Sequence, residues 1–544
     1  MSGFGSDAQT MSFVAFIAVT TVTLLLCVMT GPDREDLDEF YTGYRSLTPM
    51  QSGLAIAGDY ISAASVLGTI GVISLVGQDG LVLALSTALS LVLLMFLLAE
   101  PLRNAGRFTM GDVLTRRAPS PAVRITACLV TLTALFPLLI FQLAGAGDLL
   151  AFVLGMDSAG FKTISIVILG LLMIIYAAIG GMKGTAFIQI VKTVVLFAAA
   201  IAIASLILNR FDFSIPSLLD AAARGSGAGD GYLAPGLQFG GDGLDMISAQ
   251  LTVVLGAACL PHITMRMFSS RSAPAVRRSM SWAVSTVVIM CVLSAVIGFG
   301  AAAIVGHEGI TAADPQGKTS VLLVSQAIMG TEVSTFETLL FTAMATAIFL
   351  TLLASVAGIT LACANTLAHD LITHGLLRKR ALHGSTEMTI ARSTAAAVGL
   401  AAIFFAAGSR HVNLQAMVTL SFCLGASAVA PALVYSLFWR QYNRSGLLST
   451  LIAGALSVVV FITGTTLVSG SPQAIFPDDD FTWFPYTTTG LVSIPVGFLA
   501  GWLGTVLTRN STRRGGLPEY DYDAVEASIL ADAAPLADAA PPRG

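Results

Sequence analysis

Charge is what this chain has least of. Lys, Arg, Asp and Glu make up 11% of its 544 residues, where soluble domains carry about 25%. With 55% hydrophobic residues and a mean hydropathy of +0.81, its polar groups cannot cover a water-soluble globule, which excludes a soluble enzyme. A basic excess is missing too. The 28 Lys and Arg face 32 Asp and Glu for a net charge of −4, so nothing points to nucleic acid. The six cysteines, at 27, 128, 259, 291, 363 and 423, lie in apolar runs without CxxC spacing. They read as small buried hydrophobes, not as a disulfide framework or metal cluster. The six histidines show no HExxH or paired spacing, and neither GxSxG nor GxxxxGK[ST] occurs. No catalytic constellation, metal centre or organic cofactor is therefore expected.

What is present is a series of long hydrophobic runs. A helix of about 20 apolar residues crosses a bilayer. Thirteen such stretches fall near 11–30, 50–76, 81–100, 125–150, 162–180, 186–208, 244–262, 281–305, 336–368, 391–408, 414–438, 447–468 and 488–508. The fold class expected is an all-α polytopic membrane protein. The first run lacks a basic leader and an A-x-A exit and ends at Gly31-Pro32, so it reads as a span and not a cleaved signal. The segments on one face of this arrangement hold 22 of the 28 Lys and Arg. Basic residues concentrate in cytoplasmic loops, which puts the N-terminus outside and the C-terminus inside. Residues 209–243 read as a Gly/Ala-rich external loop without apolar periodicity. From 509 the acidic, Ala/Pro-rich tail reads as disordered in the cytoplasm.

Two spans are interrupted. The second carries Gly58-Asp59-Tyr60-Ile61-Ser62 and then Ser65, which puts a carboxylate, a phenol and hydroxyls at mid-membrane depth. The seventh carries Gly256 and then Leu260-Pro261-His262. An intramembrane Asp faces a bundle interior or water, and unwound backbone at that depth is tolerated only where it lines a cavity. Interrupted spans at corresponding places in two halves suggest an inverted-repeat transporter. Spans two to six and seven to eleven form the halves. Their separation by five spans makes them enter the membrane in opposite directions.

The stretches FYTGYRSLTPMQSGLAIAGDYISAAS (40–65), AEPLRNAGRFTMGDVL (99–114), YAAIGGMKGTAFIQIVK (176–192), LPHITMRMF (260–268) and TLLASVAGITLA (351–362) carry a resemblance. Over roughly 10–508 the chain resembles the solute:sodium symporters, and within them the bacterial cation/acetate (monocarboxylate) branch. The resemblance implies a LeuT-like core of five plus five inverted helices, with one leading and two trailing spans. It divides the chain into a leading helix and inner loop (1–48), a first repeat (49–209), an external loop (210–243), a second repeat (244–438), two trailing helices (439–508) and a tail (509–544). It implies symport of a small monocarboxylate (acetate, propionate or pyruvate) with sodium across a bacterial inner membrane. Proton coupling, and an amino acid or sugar as substrate, are the alternatives.

Carried over onto matching positions, the sodium ligands are the carbonyls of Gly58, Ile61 and Thr351 and the side chain of Ser355. Sodium is a hard ion that takes oxygen donors, and a helix break frees carbonyls. Relatives often have two adjacent hydroxyl residues where this chain has Ala354-Ser355. Gln189 stands where several relatives carry Asp. Asp59, Tyr60, Ser62, Ser65, Gln142, Gln189, Lys192 and His262 are the substrate or coupling candidates. Asp59 reads either as a cation-site or gate carboxylate or as a cap for amides freed at the break. Lys192, the sole basic residue placed inside a span, reads either as a counter-charge for an anion or as a snorkelling anchor. Gly180-Gly181 reads as a tight turn between spans. Arg103, Arg107, Asp112, Arg116 and Arg117 form an inner charge cluster that sets orientation and reads either as an inner gate or as a solvated face.

Overall fold

The structure is a computed structural model, and it describes residues 6–31, 37–154, 156, 158–329, 335–377, 384–409, 414–471 and 474–514. Among these residues every regular element is helical, and the only β contact is an isolated bridge between Ser469 and Phe476. Among the described residues eleven helices are long and apolar enough to cross a membrane. Two features bring this number to the thirteen spans read from the sequence. First, the 52-residue helix Ala159–Arg210 joins two spans at Gly181, whose φ of 54° and ψ of −155° leave the helical region. Only glycine adopts such a backbone cheaply, and a Cβ there would come within 3.1 Å of Phe40. Second, the span at 50–76 is a pair of half-helices, Pro49–Tyr60 and Ala63–Val76, each too short to cross alone.

The first half-helix is started by Pro49 at its first turn and a reciprocal capping box between Thr48 and Gln51. It stops at Ile61, whose φ of −76° and ψ of 73° are not helical. The matching break in the second half of the chain separates Gly243–Cys259 from Pro261–Thr264. Pro261 has no N–H and disfavours helical backbone in the residue before it, and Leu260 is extended at φ −60°, ψ 127°. Both interruptions therefore lie where the sequence placed them.

The helix Thr335–Asn365 continues through a π-helical turn to Leu376 and is the most enclosed span, with 94% of its apolar window buried. It packs on Ala159–Arg210 and on the broken pair. The leading helix Ser6–Thr30 is its opposite, with 17% of its window buried, and it docks through Cys27 and Thr23 on Tyr176. The trailing helices Arg444–Ile462 and Gly490–Arg514 approach through Gly446, Gly501 and Gly504, the small-residue contact by which membrane helices associate.

Two sequence expectations are corrected. The 209–243 segment is not without apolar pattern: its helix Ile215–Gly225 buries Leu218, Ala222 and Ala223. Beyond it, Tyr232 is fully buried and donates to the Ile73 carbonyl at 2.5 Å. Alanine supplies the apolar face, which a search for larger residues overlooks. The inner arginines are not a uniform solvated face either. Arg103 is buried and donates to the carbonyls of Ser270 (2.5 Å) and Arg271 (3.0 Å), and Arg117 to those of Tyr442 (3.2 Å) and Trp439. Only Arg107 matches the expectation, pairing in solvent with Asp38. The last helix runs on to Arg514, and the expected tail beyond it lies outside the described residues.

Topology can be tested directly. A cysteine replacing Asp230, an exposed position of the 229–233 turn, is expected to react with an impermeant maleimide from outside. A reporter fused after Arg543 is expected to read cytoplasmic. Both sites on one side would reject the odd number of spans.

Candidate functional site

The site grows out of the first helix break. In an uninterrupted helix the Ser62 N–H would donate to the Gly58 carbonyl. Here it turns to the Tyr60 carbonyl at 2.9 Å, which frees the Gly58 oxygen. An unsatisfied carbonyl in the membrane interior costs several kcal/mol, and Lys192 satisfies it. The Lys192 ammonium donates to the Gly58 carbonyl at 2.5 Å and to Ser355 Oγ at 3.0 Å, with the whole side chain buried. Glycine is required at 58 because a Cβ would lie 2.8 Å from both the Gln189 carbonyl and Thr193 Oγ1.

Asp59 points to the other side of the same break. Its Oδ1 accepts from Gln189 Nε2 at 2.6 Å, and its Oδ2 accepts from the Arg266 Nε–H. Gln189 Nε2 also donates to the Ala354 carbonyl at 2.9 Å. Arg266 reaches the Met182 carbonyl at 3.3 Å and Thr185 at 3.5 Å. The carboxylate lies in a notch made by Gly358, where a Cβ would come 2.7 Å from Oδ1. One buried carboxylate thus stands among two buried cations. Buried charges are retained only when paired and hydrogen-bonded, and Asp59 meets that condition through two partners from distant parts of the chain.

A cavity of about 280 Å³ opens beside this cluster. Asp59, Ser62, Gln142, Gln250 and His262 line its deep part, and it reaches Gln238, Phe239 and Thr487 on the loop side. Among the described residues several of its polar atoms have no partner: both amide atoms of Gln142, Nδ1 of His262 and Oε1 of Gln250. Such buried, unmatched groups in a native cavity call for a polar occupant.

The structure brings most of the candidates together, in two groups. Asp59, Ser62, Gln142 and His262 face the cavity. Tyr60 contributes its ring to the wall, while its hydroxyl donates to the Thr87 carbonyl at 2.8 Å and contacts Ser90. Gln189 and Lys192 stand behind Asp59, away from the cavity. Of the four proposed sodium ligands, Gly58 and Ser355 meet on the Lys192 ammonium, and Ile61 is the residue at the break. Thr351 lies about one turn before Ser355, and its hydroxyl donates to the Ala347 carbonyl at 2.6 Å. The Ser65 side chain lies outside the described residues. Snorkelling is not what Lys192 does: its ammonium turns to the helix break.

Sequence reasoning gave no role to Arg266, although an arginine inside the otherwise apolar LPHITMRMF was the available signal. It also missed Gln250, and Asp79, which accepts from the backbone N–H groups of Gly236 (2.8 Å) and Gln238 (2.7 Å). At the opposite end of the bundle, Arg124 bridges Asp112 (2.9 Å) and Asp370 (3.0 Å), and His369 reaches Asp112 at 3.2 Å. Ligand atoms of Asp112, His369 and Asp370 converge within 4.8 Å, but the guanidinium already compensates both carboxylates. Burial alone would raise the Asp112 carboxyl. The His369 hydrogen bond and charge and the Arg124 charge outweigh it and hold Asp112 below the usual carboxylate range.

Comparison with known proteins agrees with this architecture. The model of the sodium:solute symporter family matches residues 40–454. The chain is 36% identical over 520 residues to the monocarboxylic acid transporter of Corynebacterium glutamicum, covering 93% of this chain and 92% of that protein. It is 35% identical over 502 residues to the uncharacterized symporter YwcA of Bacillus subtilis, covering 92% and 95%. Among solved structures, a substrate-bound, outward-open Na+-coupled sialic acid symporter superposes with a TM-score of 0.69 at 14% identity, covering 92% of this chain and 97% of that one. Mhp1, a nucleobase-cation-symport-1 family transporter, superposes in a closed conformation with a TM-score of 0.55 at 14% identity, covering 90% and 98%. At that identity the two structures speak for the fold alone, and the fold is LeuT-like.

The Asp59–Arg266 pair yields a stability prediction. Arg266→Gln is expected to destabilise the detergent-purified protein by about 3–5 kcal/mol, because it leaves a buried carboxylate short of its partner. Arg266→Gln combined with Asp59→Asn is expected to recover much of that loss. Thermal melts of the two single variants and the double variant measure the coupling, and strictly additive shifts would show that the pair does not act as a unit.

Proposed function

This chain belongs to the sodium:solute symporter family, and from that membership we propose that it imports a small monocarboxylate, such as acetate, propionate or pyruvate, by alternating access. It is a multi-pass membrane transporter and not an enzyme. The driving force is a cation gradient, and sodium is the ion the membership implies.

The observation that carries the substrate class is the charge at the cavity floor. Behind Asp59, which lines the cavity, Arg266 and Lys192 set two basic side chains against this one carboxylate. A singly charged anion in the cavity balances that excess of basic groups. The unmatched amide of Gln142 and the His262 ring supply the directional contacts that orient such an anion. The cavity, at about 280 Å³, lies just under the roughly 300–1,000 Å³ typical of drug-sized ligands and has room for a small acid. The name of the Corynebacterium relative, at 36% identity, supports the same reading. Because the cavity runs from the helix breaks to the loop side while Arg266 ties Asp59 to Met182 and Thr185 on the other, the conformation is read as outward-facing. The basic residues concentrated on the opposite face support a reading in which the cavity side faces outward from a bacterial cell membrane, with the N-terminus outside and the C-terminus in the cytoplasm.

Counterflow in proteoliposomes tests the substrate without needing a cation gradient. Vesicles loaded with unlabelled acetate are expected to accumulate labelled acetate transiently, with competition from propionate and pyruvate and none from proline or glucose. Competition by proline or glucose alone would move the assignment to an amino acid or a sugar. Gln142→Leu is expected to weaken apparent acetate affinity by about 1–3 kcal/mol, a roughly five- to 150-fold change, at normal membrane abundance. An unshifted saturation curve would remove Gln142 from the site.

A further inference from the structure

A cation seat made of oxygen atoms lies between the broken span and the Thr335–Asn365 helix, and a side chain of this protein already fills it. The Gly58 carbonyl is freed by the break, and Ser355 Oγ faces it across the interface. Freed backbone carbonyls of this kind are what coordinates sodium in transporters built on broken helices. Here both oxygens accept from the Lys192 ammonium, at 2.5 and 3.0 Å. The neighbouring Ala354 carbonyl accepts from Gln189. Alanine at 354 offers no second hydroxyl. The residues present therefore fit an ammonium, and they do not fit an additional metal ion.

Charge counting leads to the same place. The groups that face Lys192 are Asp59 from the first half-helix, Arg266 and His262 from the second break, and the neutral Gln189 from its own helix. One carboxylate, Asp59, serves both Lys192 and Arg266. A sodium ion held by Gly58 and Ser355 would be a third positive charge within contact distance of the ammonium, with no further carboxylate among the described residues to offset it. With the ammonium seated on both oxygens, a sodium ion there would stand in direct contact with a like charge, and the tethered cation has the advantage of never leaving.

We propose that the ε-ammonium of Lys192 is the built-in occupant of this cation seat, so that the transporter runs its cycle without loading sodium between Gly58 and Ser355. The inference rests on the symporter reading above, and it concerns this seat alone. Sodium dependence, where it exists, then enters elsewhere in the molecule. It also follows that shortening the lysine should uncover a sodium site that the native protein keeps closed.

Sodium binding to purified protein tests the proposal without any substrate, so a chain that carries no monocarboxylate would fail the proposed function and leave this experiment intact. Binding of 22Na+ is measured for the native protein, Lys192→Ala, and Lys192→Ala combined with Ser355→Ala. The Lys192→Ala variant is expected to bind one sodium more per protein than native, and the added Ser355→Ala to abolish that gain. Equal binding by native and Lys192→Ala would overturn the proposal. If Lys192→Ala does not fold, native and Ser355→Ala are compared instead. Superimposable sodium titrations are expected, and native sodium binding that Ser355→Ala weakens would overturn it.

Discussion

A helix broken inside a membrane must have its freed backbone groups satisfied by protein, because lipid supplies no partners. Much of the central structure answers that constraint. The break after Tyr60 frees the Gly58 carbonyl and places the Asp59 carboxylate in the interior. Lys192, Gln189 and Arg266 arrive from the second part of the Ala159–Arg210 helix and from the other break to satisfy them. These contacts in turn fix where the Thr335–Asn365 helix lies, since Ala354, Ser355 and Gly358 on its surface complete the same cluster. The two breaks are tied to each other by the Arg266–Asp59 pair, and the cavity opens at their junction.

The architecture was largely legible in the sequence. Thirteen spans follow from hydropathy, and Gly58 through Ser62 and Leu260-Pro261 mark both breaks, because polar residues and proline inside apolar runs leave few structural options. Lys192 stood out as a charge inside a span for the same reason. Its partners did not, because Gly58 and Ser355 are 134 and 163 residues away along the chain, and no local pattern encodes such a meeting. Arg266 was hidden in a different way. It lies at the edge of a span among inner basic residues, where an arginine usually means orientation, and only folding carries it back to Asp59.

The bundle secures its two ends with different means. On the loop side the ties are carboxylate to backbone: Asp79 accepts from Gly236 and Gln238, and Asp245 accepts from the Thr487 N–H and hydroxyl at 2.9 Å. On the other side they are charge to charge and arginine to carbonyl: Arg124 joins Asp112 and Asp370, while Arg103 and Arg117 hold the carbonyls of neighbouring turns. The loop-side ties bind segments that cover the cavity, and the opposite ones bind helix ends below it.

The notch at Gly358 has a mechanical consequence. Asp59 Oδ1 occupies the space that a side chain would fill on that helix, so the carboxylate acts as a pin seated in a socket. Lengthwise slip between the first break and the Thr335–Asn365 helix would have to lift a charged group out of its recess and away from Gln189 and Arg266. Swivelling about the pin keeps it seated. The two parts of the molecule are thereby left with a pivot instead of a slide, and its fulcrum stands at the floor of the cavity.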